Sequence, residues 1–248
     1  MHHTVAYMAT VATVAETDLT PVNDGIMTIQ NGHFLPQQDM YLKYAFAGGL
    51  FLNRARIITP SFRVITPPYI RPINLGLLPL TITPVADYIA HPLKLAALEE
   101  VEVAGVNSAA TSGVYTVILG LGVEQQSVAP QGDVFTMRGV GTTTANVNQW
   151  TGCAITWSDI LPRGLYACVG LVAIGATARA ARLIFQGQSW RPGCVANTLV
   201  SDYAHQMFRH GKLGMWGQFI GTTLPTIEFL CGAADTAQEV YLDLVRIG

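Results

Sequence analysis

Three kinds of polar residue each occur twice along the chain in similar settings, and each kind can do chemistry. A histidine can ligate a metal or act as a general base, and two close carboxylates can share acid–base catalysis. An arginine near an aromatic residue is favoured at protein interfaces. The recurring residues are His91 and His210, Glu102 and Glu228, and the pairs Arg71-Pro72 and Arg191-Pro192.

Each of these candidates also has a structural interpretation. A histidine beside a turn can serve packing alone. The two glutamates interrupt apolar runs in separate halves of the chain, so an ion pair with a recurring arginine such as Arg56 or Arg182 is the alternative to catalysis. Each Arg-Pro pair either anchors an interface or ends a turn, with its arginine stacked on Tyr69 or Trp190.

Signatures of the common enzyme classes are missing from the sequence. It contains neither a GxSxG nucleophile motif nor a GxxxxGK[ST] phosphate loop, and apart from His2-His3 its histidines show no metal-ligand spacing. A duplicated β-sandwich metalloenzyme would need two neighbouring histidines, a glutamate and a third histidine in one half. We therefore predict that the protein is not an enzyme and has no catalytic, cofactor-binding or metal-binding residues.

Composition indicates a surface that is covered by partners. Of 248 residues, 50% are hydrophobic and only 12% are charged, against roughly 25% in an ordinary soluble domain. The 14 Lys and Arg residues are scattered, which argues against direct nucleic-acid binding. The sequence has neither the run of ~18 apolar residues that a spanning helix needs nor the pattern of a signal peptide. We expect an obligate oligomer.

The cysteines are widely spaced and form no CxxC motif. Such cysteines are expected to be buried, reduced thiols, which predicts folding in a reducing compartment. They are Cys153, Cys168, Cys194 and Cys231.

The chain reads as a tandem duplication. A shift of 126 residues aligns 98–122 with 224–248 without a gap, and other pairs precede them in the same order. Copy one is predicted to span 1–122 and copy two 123–248, with a polar joint at 124–132. The upstream pairs include Leu35-Pro36 with Leu161-Pro162, Tyr44-Ala45 with Tyr166-Ala167, Ala55-Arg56 with Ala181-Arg182, and Asp87-Tyr88 with Asp202-Tyr203.

Short apolar runs broken by Gly, Pro, Asn and Asp predict strands throughout each copy. The clearest are 114–122 and 240–248, each of which closes its copy, and alternation in the second predicts a half-buried strand. Two windows look helical, 91–100 and 201–213, and the second begins with Ser201 and Asp202 as candidate N-caps. The predicted fold class is all-β: two tandem, duplicated jelly-roll or β-sandwich barrels, each with a short helix.

Two successive β barrels with few charges and without a catalytic constellation resemble the double jelly-roll major capsid proteins of tailless phages that have an internal membrane, and more distantly those of adenovirus-like viruses. The resemblance covers the whole chain and lies in architecture, because that family has no short diagnostic motif. It implies that three chains form a pseudo-hexagonal block that tiles an icosahedral shell in the virion. The implied partners are copies of itself, other virion proteins and a membrane beneath the shell. The legible likeness of the two copies departs from that family, whose barrels have diverged.

Two other functions stay open. A virion spike, or another carbohydrate- or receptor-binding protein, would present aromatic residues in loops, for which Trp150, Trp157 and Trp190 are candidates. A duplicated β-sandwich enzyme of unknown chemistry is the third possibility.

Overall fold

The computed structural model describes residues 2–49, 52–62, 69–70, 85–143, 146–197 and 203–248. The chain divides into two compact units. We call Val5–Gln125 the first barrel, and Gln126–Gly248 together with Met1–Thr4 the second barrel.

Short strands that bury their apolar residues build the first barrel. Its interior includes the closing strand β11, which is fully or almost fully buried from Tyr115 onward. One turn of 3₁₀ helix, Pro60–Phe62, is also present. The strands are β1 (His2–Val11), of which residues 2–4 count with the second barrel, β2 (Thr17–Pro21), β3 (Thr28–Gln30), β4 (His33–Leu35), β5 (Met40–Gly48), β6 (Leu52–Ile58), β7 (Tyr69–Ile70), β8 (Ala86–Asp87), β9 (Leu93–Leu95), β10 (Glu102–Asn107) and β11 (Gly113–Gly122).

The second barrel accounts for the most apolar stretch of the sequence. That stretch forms β14, buried after its first residue, and β15, so strands explain its hydrophobicity. The 3₁₀ helix Tyr203–Phe208 lies between β16 and β17. The strands are β12 (Val134–Thr143), β13 (Trp150–Trp157), β14 (Leu165–Ile174), β15 (Ala178–Ile184), β16 (Gly193–Val195), β17 (Gly217–Ile220), β18 (Thr226–Cys231) and β19 (Asp235–Arg246).

Both barrels have the same strand order. The first runs β7-β6-β10-β2-β1-β11-β5-β8, with β9 beside β5, and the second runs β16-β15-β18-β13-β12-β19-β14-β17. Counting the eight path strands of each barrel along the chain, both orders are 5-4-7-2-1-8-3-6. This interleaving of two four-stranded halves is the jelly-roll topology. Each barrel is therefore a jelly roll, and the predicted fold class is confirmed.

One strand in each barrel turns the corner between the two halves. In β13, residues Ala154–Trp157 pair with β12, whereas Trp150–Cys153 pair with β18. In β2, Thr20 and Pro21 pair with β1, and Thr17–Leu19 pair with β10. A strand that switches sheets in this way lets the sheet fold over its own apolar face.

The helix predicted at 91–100 is wrong. Leu93–Leu95 form β9 instead, because they pair with β5. After β9 the chain turns, with Leu98 at φ 61° and the buried Glu99 carboxylate accepting a 2.8 Å hydrogen bond from the Ala96 amide. The second helical window is confirmed as the 3₁₀ helix Tyr203–Phe208. Its candidate caps Ser201 and Asp202 lie outside the described residues.

Candidate functional site

The recurring histidines lie at turns and are not joined to other titratable groups in a matching way. His91 is exposed, and its amide donates to the Tyr88 carbonyl at 3.1 Å. His210 adopts φ 53°, with its side chain 54% exposed, and its amide donates to the Asp243 carboxylate at 3.0 Å. Both histidines therefore lie at turns with exposed side chains, and the choice between a packing role and a repeated site stays a prediction.

Asp243 is the centre of a polar cluster that the sequence pattern does not reveal. Alternation along β19 places it among outward-facing residues, but its side chain is fully buried. It accepts hydrogen bonds from Arg209 at 2.6 and 2.8 Å and from the Thr136 hydroxyl at 2.7 Å. The only local sign of this burial in the sequence is that Asp243 stands between Leu242 and Leu244. The cluster ties the loop after the 3₁₀ helix to the sheet.

The environment of Asp243 favours its charged form. Burial by itself raises the pKa of this carboxyl, but hydrogen bonds from Arg209, Thr136 and the His210 amide outweigh it and lower the pKa below the ordinary value. The same contact raises the pKa of Arg209. The pair is thus a structural ion pair.

The second recurring glutamate pairs with a recurring arginine, as the structural interpretation predicts. Glu228 lies directly opposite Arg182 in the β15–β18 ladder, and the two ion-pair at 2.5 Å. The Arg182 guanidinium lies 4.2 Å from the centre of the Trp150 ring. In the first barrel, Arg56 lies opposite Ala104 and pairs with Glu16 instead.

The second Arg-Pro pair holds the beginning of the chain. The Thr4 amide donates to the Arg191 carbonyl at 2.9 Å, and the Arg191 amide donates to His3 Nδ1 at 3.2 Å. The His3 ring meets Trp190 edge-on at 6.0 Å. Backbone groups of this pair thus dock residues 2–4, and the two predicted interpretations of its arginine side chain stay predictions. Arg71-Pro72 lies outside the described residues.

Of the three tryptophans that would mark a ligand-binding protein, Trp190 lies in the loop between β15 and β16, and the other two lie in a strand. Trp150 and Trp157 both belong to strand β13, and Trp150 is stacked under Arg182. All three, including Trp190, are only partly exposed.

The cysteines are buried and form no disulfide, as predicted. Burial raises the pKa of the Cys168 thiol to about 12 and that of Cys231 to about 11, and it also raises the pKa of Cys194. A thiol must lose its proton to act as a nucleophile or metal ligand, so these three are packing residues at neutral pH.

Exposed and partly exposed apolar side chains gather on one face of the second barrel. Leu165 lies opposite Ile220, and the Ile247 amide donates to the Leu165 carbonyl at 2.8 Å. Val134 lies opposite Val245, two residues before Ile247. Opposite residues and alternate residues share a face of a sheet. We call Val134, Leu165, Ile220 and Ile247 the apolar patch.

The apolar patch continues a buried cluster into solvent. On the same face, Ala167 lies opposite Val245, and both are buried with Val169 beneath Ala129. Outside the area that Ala129 covers, the side chains of Val134, Ile220 and Ile247 are 42%, 57% and 38% exposed. This arrangement resembles a core cut open, which is the character of surfaces that bury themselves in permanent assemblies.

Among the described residues, one group has the composition of a metal site: His33, Glu100 and Glu102 of the first barrel. Across the same ranges, no helix is long and apolar enough to cross a membrane.

Comparison with known proteins finds distant structural similarity only. No protein-family model and no curated protein sequence matches the chain. The crystal structure of the STIV major capsid protein aligns with 99% of this chain and 97% of its own, at 6% identity and a TM-score of 0.26. The major capsid protein P2 of bacteriophage PM2 aligns with 100% of this chain and 98% of its own, at 13% identity and a TM-score of 0.24. Similarity at these TM-scores is too weak to indicate a function.

Proposed function

We propose that the protein is the structural subunit of a viral shell, a major capsid protein whose copies form pseudo-hexagonal trimers that tile an icosahedral surface around the genome. The observation that carries the proposal is the jelly-roll strand order that occurs twice in one chain. Jelly rolls recur in viral capsid domains, although lectins and cupins also use them. Two similar barrels per chain let three chains offer six similar edges, which suits hexagonal packing.

The surface supports an assembly rather than a monomer. Only 12% of residues are charged, and the apolar patch leaves Ile220 57% exposed. A soluble monomer keeps such patches small because exposed apolar area favours association. We propose that a second copy of the chain covers the apolar patch, because a closed shell requires its subunits to bury their sides against each other.

The role is mechanical, and no reaction is part of it. The subunit is made in a host cytoplasm and ends in the virion, where other virion proteins and a membrane beneath the shell are further partners. We also propose that the two barrels arose by duplication, with copies at 1–122 and 123–248, because the recurring residues and the shared strand order run in parallel.

Light scattering on the purified chain tests this function. A capsid subunit should elute as a particle of three times the chain mass of 26.7 kDa, or as a closed shell. A protein that stays monomeric at every concentration and salt condition tested contradicts the proposal.

A further inference from the structure

A histidine and two glutamates converge in the first barrel at a place that the shell-building role does not use. One ligand atom from each of His33, Glu100 and Glu102 lies within 4.8 Å of the other two. All three side chains are partly buried. They come from two segments that are distant in sequence, so their meeting depends on how the fold docks one segment on the other.

Backbone hydrogen bonds dock the β3–β4 hairpin along residues 98–101. Phe34 and Val101 form an isolated antiparallel bridge, in which the Val101 amide donates to the Phe34 carbonyl at 2.9 Å. The Leu98 amide donates to the Pro36 carbonyl at 2.7 Å. The hairpin is therefore fixed in register.

This register explains why the three side chains meet. In an antiparallel pair around the Phe34–Val101 bridge, His33 lies opposite Glu102. Successive side chains of an extended segment point to opposite faces, so Glu100 and Glu102 lie on the face opposite to Val101. The Val101 side chain is fully buried. His33, Glu100 and Glu102 thus face one another by strand geometry.

The hydrogen-bonding capacity of the His33 ring is not fully used. His33 Nδ1 is buried and has no hydrogen-bond partner among the residues that the structure describes. A buried polar atom without a partner costs free energy, which a metal ion would remove by accepting its lone pair. Glu100 is already oriented, because the Asn31 side-chain amide donates to it at 3.1 Å. Outer partners of this kind hold a ligand in place at metal sites.

We propose that His33, Glu100 and Glu102 bind one divalent transition-metal cation, with Zn²⁺ as the best fit. Zn²⁺ takes imidazole nitrogen and carboxylate oxygen together, whereas Ca²⁺ and Mg²⁺ prefer all-oxygen sites. Two carboxylates also supply the negative charge that a divalent ion needs. Three protein ligands leave a fourth position for water. The bound ion would clamp the β3–β4 hairpin to residues 100–102 and stabilise the folded first barrel.

Calorimetric titration of the chelator-treated, full-length chain with ZnCl₂ tests the site. We expect one Zn²⁺ per chain and a rise in melting temperature on binding. Glu102→Gln keeps the shape of the side chain and should weaken Zn²⁺ binding by at least about tenfold, as should His33→Ala. His91→Ala removes an exposed histidine of the same barrel and should leave binding unchanged.

Three results would overturn the site: no stoichiometric binding, an affinity that neither Glu102→Gln nor His33→Ala lowers, or an equal loss in His91→Ala. Circular dichroism checks that each variant is folded. If His33→Ala does not fold, the comparison of Glu102→Gln with the wild type still tests the site. The titration measures Zn²⁺ binding and not assembly of the chain. The metal site and the shell-building function can therefore fail separately.

Discussion

Arg182 and Glu228 lie directly opposite each other on neighbouring strands and ion-pair at 2.5 Å, with the Arg182 side chain only 2% exposed. The matching arginine of the first barrel, Arg56, is 30% exposed and pairs with Glu16 from outside the ladder. Two residues that occupy the same place in one strand order therefore differ in burial and in partner.

This difference predicts unequal costs for the same substitution. Arg182→Lys removes the planar set of guanidinium N–H donors and the stacking on Trp150. The buried ion pair with Glu228 would then have fewer hydrogen bonds. We expect the free energy of unfolding of this variant to fall by about 2 kcal/mol. Arg56→Lys is the matched control and should cost less than about 1 kcal/mol, because exposed pairs contribute little. Urea denaturation measures both, and equal losses would contradict the assignment.

Asp243 should make the second barrel sensitive to acid. Its pKa is lower in the folded protein than in the unfolded chain, so its ion pair stabilises fully above the ordinary carboxyl pKa of about 4 and is lost as pH falls through the folded value. Asp243→Asn leaves Arg209 without its charge partner and should cost about 3 kcal/mol at pH 7.

Denaturation curves between pH 2 and about 7 check this behaviour. The loss of stability below pH about 4 should be smaller in Asp243→Asn than in the wild type. Asp133→Asn, at an exposed position, should follow the wild-type curve. An Asp243→Asn curve parallel to that of the wild type would show that this carboxylate does not carry the acid sensitivity.

Gly120 should not tolerate a side chain. It lies opposite Tyr44, and a Cβ atom there would overlap the Tyr44 ring, which is buried. Gly120→Ala should therefore lower stability by about 1–3 kcal/mol through overpacking. Gly152→Ala is the control, since a Cβ at this strand position meets nothing within 4 Å. Thermal melts compare the two variants, and a neutral Gly120→Ala would be inconsistent with the packing described.

A charge in the apolar patch should impair association while the barrel stays folded. Ile220 is 57% exposed, so Ile220→Asp costs little within one chain but buries a carboxylate if a second copy covers the patch. We expect association to weaken by at least about tenfold, which is about 1.4 kcal/mol. Sedimentation velocity over a dilution series measures it. Val14→Asp, at an exposed apolar residue of the first barrel, is the control and should leave association unchanged. If Ile220→Asp also associates like the wild type, the apolar patch is not part of the interface.

The sequence predicts the strands well because their signals are local. Apolar runs and their turn residues locate β11, β14 and β19, and the recurrence of Ala55-Arg56 as Ala181-Arg182 anticipates the equivalent strands β6 and β15. The window at 91–100 misleads because its apolar spacing suits a helix as well as a strand, and pairing with β5 decides between them.

Contacts between distant residues could not be predicted in this way. Asp243 reads as a surface residue because its partner Arg209 sits on a loop whose position depends on the whole barrel. His33 looks unremarkable in the sequence, since the Phe34–Val101 bridge alone brings it to Glu102. The apolar patch is likewise assembled from three strands and the final residues.

Electron microscopy of the purified chain tests the central claim most directly. If two jelly rolls per chain build a shell, images should show trimers with six lobes in pseudo-hexagonal arrangement, alone or tiled into closed particles. Particles that hold only one chain, at concentrations where a capsid subunit must associate, would contradict the claim.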